Sequence, residues 1–75
     1  MNKADIITEL KKAVQLLPDD PLVAEHLGDA YYSKGTKAKA LESFEKALIL
    51  DPKNSDLKEK VEKVKGELAE KRRSE

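Results

Sequence analysis

The sequence predicts an all-α fold, a four-helix antiparallel fragment of an α-solenoid, because its apolar residues recur at helical spacing and its pattern repeats along the chain. We call the sequence separation of Pro18 from Pro52 the repeat offset. The same offset relates three further pairs of residues, which are Ala13 and Ala47, Leu10 and Phe44, and Ile6 and Ala40. A fixed period of about 34 residues is typical of stacked helical repeats, which bind other molecules through extended surfaces and seldom carry chemistry.

Size and composition restrict the classes of function. The 75 residues make a single domain, residues 1–75, and 15 basic side chains balance 15 acidic ones. A net charge of zero argues against nucleic acid and against an anionic membrane surface as partners. The absence of cysteine excludes disulfides and thiolate sites. No signal peptide or long apolar run is present, so membrane insertion is not expected and the cytoplasm is the default location.

Four helices are predicted, over residues 3–17, 21–34, 37–50 and 55–71. Their ends are marked by residues that stop a helix: Pro18, Gly35 and Pro52. Polar residues that favour N-cap positions precede the four helices, and these are Asn2, Asp20, Thr36 and Asn54.

The fourth helix differs in character from the others. Its apolar residues form one narrow stripe, and charged residues occupy nearly all other positions. The stripe consists of Leu57, Val61, Val64 and Leu68. A helix that is apolar along one side and solvated elsewhere suits the end of a stack.

The middle of the chain carries a longer motif. It reads Ala24-x-x-Leu27-Gly28-x-x-Tyr31, then Ala40-x-x-x-Phe44-x-x-Ala47 and finally Pro52. Small residues suit a close crossing of two antiparallel helices, and the large ones fill the space beside it. The motif resembles the tetratricopeptide repeat. Ala24 departs from the family pattern, which favours tryptophan or another bulky residue there.

The resemblance covers the chain as one complete repeat between two partial units. The first helix resembles the second helix of a preceding repeat, and the fourth resembles a C-terminal capping helix. Glu62 and Lys65 stand where the complete repeat has Gly28 and Tyr31, so a further helix would not pack closely against the fourth. We therefore expect the chain to be the C-terminal segment of a longer repeat protein.

Residues that could support chemistry are sparse. His26 is the only histidine, whereas a protein metal site needs three or four ligands. The serines lack a base at suitable spacing, and no glycine-rich phosphate loop follows a strand. We expect no enzymatic activity, no metal site and no cofactor.

The resemblance implies a partner-binding surface, because in this family the first helices of successive repeats line a concave groove. The groove residues would be Leu22, Glu25, Asp29, Tyr32 and Ser33. Some family members hold a partner's terminal carboxylate there with basic and amide side chains, but this chain offers Glu25 and Asp29. A basic or mixed apolar peptide should therefore fit better than an acidic one, unless the two acids are only solvated. Tyr32 is expected to expose its hydroxyl to water, either as a ligand contact or as a packed groove wall.

The first helix presents an apolar stripe that lacks its own repeat's partner helix. Ile6, Leu10 and Ala13 form this stripe. Covering it would be favourable at about 25 cal/mol per Å².

These two surfaces give two hypotheses about function. The leading hypothesis is a non-enzymatic module that docks a protein or peptide in the groove. The alternative is a structural element that forms symmetric homodimers through this stripe, unless the chain simply tolerates its exposure.

Overall fold

Four helices make up the described chain. The computed structural model describes residues 5–73, and the side chains of residues 5–70. The helices are α1 (Ile6–Leu16), α2 (Pro21–Lys34), α3 (Lys37–Leu50) and α4 (Ser55–Arg73), and no strand occurs in this part of the chain. Short connections make neighbouring helices antiparallel. The predicted all-α repeat architecture is confirmed.

The start of α1 differs from the prediction of a helix that begins at residue 3 behind an Asn2 cap. Asp5 is the N-cap, with extended backbone, and its carboxylate accepts a hydrogen bond from the Ile7 amide at 3.2 Å. The Thr8 hydroxyl also donates to this carboxylate, at 3.1 Å. The helix therefore begins at Ile6, and Asn2 lies outside the described residues. Smaller differences are that α1 ends one residue early and that α4 continues to residue 73.

The boundaries of α2 follow from local chemistry. The Asp20 carboxylate accepts a hydrogen bond from the Leu22 amide at 3.0 Å, and Pro21 occupies the first helical position. At the other end Gly35 has φ of 90°, in the left-handed region that favours glycine. The Thr36 amide donates to the Tyr31 carbonyl at 2.9 Å, which completes a Schellman ending. The chain thus reverses between α2 and α3 over a very short connection.

Of the two remaining predicted N-caps, one caps its helix through its side chain and the other does not. The Asn54 side chain accepts a hydrogen bond from the Leu57 amide at 3.1 Å and caps α4 as predicted. Thr36 precedes α3 but makes no side-chain capping hydrogen bond. It contributes instead through its backbone, because its carbonyl accepts from the Ala40 amide at 3.0 Å.

One apolar core joins the last three helices. Phe44 is 2% exposed and packs where α2 and α3 cross at Gly28. A Cβ added to Gly28 would lie 2.5 Å from Cε1 of Phe44, so only glycine allows this approach. The buried residues of this core are Ala24, Ala40, Phe44, Ala47, Leu57, Val61 and Val64.

The apolar stripe of α4 faces this core. Leu57, Val61 and Val64 are buried, and Leu68 packs against them half-buried. Most of the other α4 side chains up to residue 70 are charged and face solvent or the neighbouring α2. Among the described residues, no helix combines the length and the apolar character needed to cross a membrane.

The first helix is attached less completely. It packs against α2, and Ile7 is its one buried residue. Ile6 is 60% exposed, while Leu10 and Ala13 are half-buried. The positions one repeat offset later, Ala40, Phe44 and Ala47, are among the most deeply buried of the described chain. The difference arises because α3 is covered by α2 and α4, whereas α1 packs mainly against α2.

Candidate functional site

The pair α2 and α3 is antiparallel, and so is the pair α3 and α4, which brings α2 and α4 side by side. Charged side chains border a shallow depression between them. We call it the α2–α4 groove. Its lining includes Glu25 and Asp29 from α2 with Asp56, Glu59, Lys60 and Lys63 from α4.

Lys60 is the central contact of this groove. Its ammonium donates to Oε2 of Glu25 at 2.7 Å and to Oδ1 of Asp29 at 2.9 Å. Glu25 and Asp29 are four residues apart, so both carboxylates lie on one face of α2 and converge on the same ammonium. The Lys60 Nζ also lies 5.3 Å from the centre of the Phe44 ring, within cation–π range. One α4 side chain thereby ties together α2 and the core.

Burial and pairing act in opposite directions on Lys60. Desolvation is the largest single influence and lowers the pKa of its ammonium. The hydrogen bonds to Glu25 and Asp29 and the charges of these carboxylates together outweigh it, so the pKa is raised above its usual 10.5. Lys60 is therefore a stable cation, and it neutralises part of the acidic charge on α2.

A second cluster lies further along the same two helices. The Tyr32 hydroxyl donates to the Glu67 carboxylate, at 2.9 Å to Oε1 and 3.0 Å to Oε2. Lys37 pairs with Oε1 of Glu67 at 3.1 Å. Hydrogen bonding by Lys37, and next by Tyr32, holds the pKa of Glu67 below its usual 4.5. The Lys63 ammonium lies 5.1 Å from the centre of the Tyr32 ring and closes this side of the groove.

Two expectations about the groove need correction. Glu25 and Asp29 were expected either to face a peptide or to be solvated, but both are paired with Lys60. The Tyr32 hydroxyl was expected in water, but it is bonded to Glu67 and the ring is half-buried. The reason is the same in both cases: α4 packs beside α2 and supplies long charged side chains to its face.

The other two α2 residues of the predicted set stand apart from these clusters. Leu22 is 57% exposed near the start of the helix, one turn before Glu25 and just outside the lining of the α2–α4 groove. Ser33 is exposed and lies on the side of α2 that faces α1. The structure thus brings Glu25, Asp29 and Tyr32 together with α4 and separates Ser33 from them.

The α4 contribution to the groove was missed by the sequence analysis, although a signal for it was present. The repeat offset, which relates the helix caps, also carries the predicted α2 groove residues onto α4. Glu25 corresponds to Glu59 and Asp29 to Lys63, and both counterparts line the groove.

The predicted self-association residues border a different depression, between α1 and α2, which we call the α1–α2 groove. Ile6 and Leu10 form its α1 wall. Its α2 wall consists of His26, Asp29, Ala30 and Ser33. Ala13 lies on α1 outside this lining and is half-buried. His26 is exposed, and within residues 5–70 no group of three metal-ligating side chains forms around it or elsewhere.

The comparison with known proteins agrees with this geometry. The family model described as tetratricopeptide repeat matches residues 21–54, which span α2, α3 and the connection to α4. Residues 21–54 are a tetratricopeptide repeat. The resemblance drawn from the motif is therefore confirmed. Tetratricopeptide repeats generally mediate protein–protein interactions and are not catalytic units.

Three curated proteins that contain similar segments are much longer than this chain. Cellulose synthase operon protein C of Escherichia coli (strain K12) is 46% identical over 50 residues, which are 67% of this chain and 4% of that protein. The Hsp70-Hsp90 organizing protein of Triticum aestivum is 38% identical over 55 residues, 73% of this chain and 10% of that protein. Protein arginine N-methyltransferase 9 of Homo sapiens is 32% identical over 66 residues, 88% of this chain and 8% of that protein. The chain spans a tenth or less of each relative.

Proposed function

We propose that this tetratricopeptide segment docks a partner peptide or protein on the α2–α4 groove, and that it works as a scaffold without catalysis or a cofactor. The observation that carries the proposal is the attachment of α4 to α2 through Lys60, Glu25 and Asp29. A recognition surface that keeps its shape without the ligand binds more tightly, because ordering it during binding costs free energy. The three-way contact and the Tyr32–Glu67 hydrogen bond hold the groove in place.

The exposed groups in and beside the α2–α4 groove define the class of partner. Leu22 offers an apolar contact, with 57% of its surface exposed. The groove lining has four carboxylates and two ammonium groups, an excess of two negative charges. Lys60 is already engaged by two of those carboxylates, which leaves Asp56 and Glu59 against Lys63. A basic or mixed apolar segment therefore fits the groove better than an acidic one.

The relatives support a scaffold role. The wheat protein is named for organizing Hsp70 and Hsp90, and it resembles this chain over 73% of the chain's length. The similarity to a methyltransferase covers only 8% of that enzyme, so it provides little reason to assign methyl transfer to this segment. A docking role requires only the surface described above.

Two designed peptides test the docking proposal. One alternates leucine with lysine, and the other has glutamate in place of every lysine. Fluorescence anisotropy should show saturable binding of the basic peptide and at least about tenfold weaker binding of the acidic one, with an affinity that falls as salt is added. Equal binding of both peptides, or tighter binding of the acidic one, would contradict the proposed charge preference.

A pair of variants locates the binding. Leu22→Ala removes the exposed apolar contact on α2 and should weaken binding of the basic peptide by about fivefold or more, since an interface anchor contributes about 1 kcal/mol. Ile49→Ala is the matched control, because Ile49 is also exposed, at 78%, but lies on α3. If Ile49→Ala weakens binding as much as Leu22→Ala, the peptide does not occupy the α2–α4 groove.

The second candidate function is self-assembly into a symmetric homodimer through Ile6, Leu10 and Ala13. It is favoured by the 60% exposure of Ile6 and by two further exposed leucines in this region, Leu16 and Leu17. Sedimentation equilibrium should then show a dimer at micromolar concentration that Leu10→Glu converts to monomer. A well-folded monomer at high micromolar concentration would exclude this function.

A further inference from the structure

Resting on the docking function proposed above, we propose that one aromatic side chain of the partner, of the size of phenylalanine, enters a small pocket of the α2–α4 groove. The face of its ring meets the ammonium of Lys63, which makes Lys63 a specificity-determining residue. We call this site the ring pocket. Its lining consists of Asp29, Tyr32, Phe44, Lys60, Lys63 and Val64.

The ring pocket has the size and the apolar floor that a phenyl ring needs. Its volume is about 150 Å³. Phe44 and Val64 belong to the buried core and form the floor. The Tyr32 ring and the side chains of Lys60 and Lys63 stand around this floor, and the stems of lysine side chains are themselves apolar. An apolar cavity of about this volume in another protein holds benzene, so a phenyl ring fits here.

The charges of the lining favour an aromatic ring over an aliphatic side chain. The face of an aromatic ring is negative and its edge is positive. The ring pocket presents the ammonium of Lys63 and the carboxylate of Asp29, which is 48% exposed. A ring can turn its face to the ammonium and its edge to the carboxylate. An aliphatic group has no such charge distribution, so it gains free energy from burial alone.

Lys63 is the cation best placed to recognise the ring. Its side chain is exposed, and its ammonium already lies against an aromatic ring, 5.1 Å from the centre of Tyr32. Lys60, by contrast, is engaged by the carboxylates of Glu25 and Asp29. Among residues 5–70, Lys63 forms no salt bridge. A partner ring therefore approaches an ammonium that no carboxylate of the described chain pairs with.

The walls of the ring pocket are held in place without a ligand. The Lys60 ammonium donates to Glu25 at 2.7 Å and to Asp29 at 2.9 Å. The Tyr32 hydroxyl donates to the Glu67 carboxylate at 2.9 and 3.0 Å. An entering ring therefore loses little free energy to the ordering of these two walls.

The ring belongs to another molecule. The three aromatic residues of this chain are Tyr31, Tyr32 and Phe44, and all of them pack in or against its own core. A second copy therefore offers no free ring. A basic residue beside the aromatic one would meet Asp56 and Glu59, which line the adjoining part of the groove. The recognised segment thus combines an aromatic residue with a basic one.

Four short peptides of lysine and serine test the anchor, and they differ at one central residue. That residue is phenylalanine, cyclohexylalanine, pentafluorophenylalanine or alanine. Cyclohexylalanine is at least as apolar as phenylalanine, and fluorination removes the negative charge from the ring face. NMR titration of the full labelled chain measures each affinity. We expect the phenylalanine peptide to bind about two- to fivefold more tightly than any of the others, with ring-current shifts at Val64.

Three lysine variants assign the preference to one ammonium. Lys63→Met keeps an apolar side chain and should remove the preference, so that the phenylalanine and cyclohexylalanine peptides bind equally. Lys65→Met is the matched control, because it removes the same charge from an exposed α4 residue outside the groove lining. It should leave the ratio of the two affinities unchanged. Lys63→Arg keeps the cation and should preserve the preference.

Three results would overturn the anchor. The first is equal or tighter binding of the cyclohexylalanine or pentafluorophenylalanine peptide by the native chain. The second is an unchanged preference in Lys63→Met. The third is absence of binding of the phenylalanine peptide at millimolar concentration, or shift changes centred outside the ring pocket.

The alternating leucine–lysine peptide distinguishes failure of the anchor from failure of the docking function. If that peptide binds in the α2–α4 groove while the aromatic preference is absent, only the aromatic anchor is wrong. If neither the leucine–lysine peptide nor the phenylalanine peptide binds at millimolar concentration, the docking function and the anchor are both wrong.

Discussion

Gly28 is the residue on which the closest helix contact depends. Its missing side chain lets the Phe44 ring lie against α2, and an added Cβ would sit 2.5 Å from Cε1 of that ring. By contrast, nothing lies within 4 Å of a Cβ added at Gly66 on α4. Both glycines are in helices, where alanine is the better residue by about 1 kcal/mol. Alanine substitutions at the two positions therefore separate the effect of helix propensity on stability from the effect of packing.

We expect Gly28→Ala to destabilise the chain by about 1–3 kcal/mol, because the overpacking outweighs the gain in helix propensity. Gly66→Ala should stabilise it by up to about 1 kcal/mol. Urea denaturation followed by circular dichroism measures both changes. A stabilising effect of Gly28→Ala would mean that Phe44 moves aside easily and that the crossing is not tight.

Glu67 links stability to pH. Its pKa is lowered in the folded chain by Lys37 and Tyr32, so its contribution to stability is present above its usual 4.5 and is lost as pH falls through the lower folded value. The melting temperature should therefore fall more steeply below pH 4.5 in the native chain than in Glu67→Gln. Thermal melts between pH 6 and 3 test this, with Lys37→Met expected to flatten the same part of the curve. Parallel curves for the native chain and Glu67→Gln would show that the carboxylate is not stabilised.

The helix α4 both covers the core and completes the groove. Its apolar stripe was predicted from the sequence, because spacing along one helix determines which side chains share a face. The contacts of α4 with Glu25 and Asp29 were not predicted from the sequence. They depend on how far α4 is rotated about its axis and how near α2 it lies, and these follow only from packing. The corrected environment of Tyr32 has the same origin.

Removing part of the α4 stripe should detach the helix. Leu57 is fully buried, so Leu57→Ala should cost about 2–5 kcal/mol through lost burial and the resulting cavity. Because small domains have marginal stability, this change is expected to unfold much of the chain at room temperature. Ile49→Ala, at a residue 78% exposed, should change the free energy of unfolding by less than about 0.5 kcal/mol. Equal effects in urea denaturation would contradict the assigned core.

The four helices together form a flat body with extents of 37 × 36 × 15 Å. Its two ends are unequal, because α4 closes the core with a charged outer face whereas α1 leaves Ile6 exposed at the other end. The repeat offset predicted this order of units, since it depends on sequence spacing alone. The partition of the surface into two grooves could not be predicted, because Asp29 contacts Lys60 on one side and borders the α1–α2 groove on the other.

The most direct test of partner docking is an NMR titration of the labelled chain with the alternating leucine–lysine peptide. We expect the largest shift changes along the α2–α4 groove, at Asp56, Glu59 and Lys63, and at the neighbouring Leu22, with little change at Ile49. That result would locate a preformed binding surface between α2 and α4. Shift changes centred on Ile49, or none at millimolar peptide, would contradict docking in this groove.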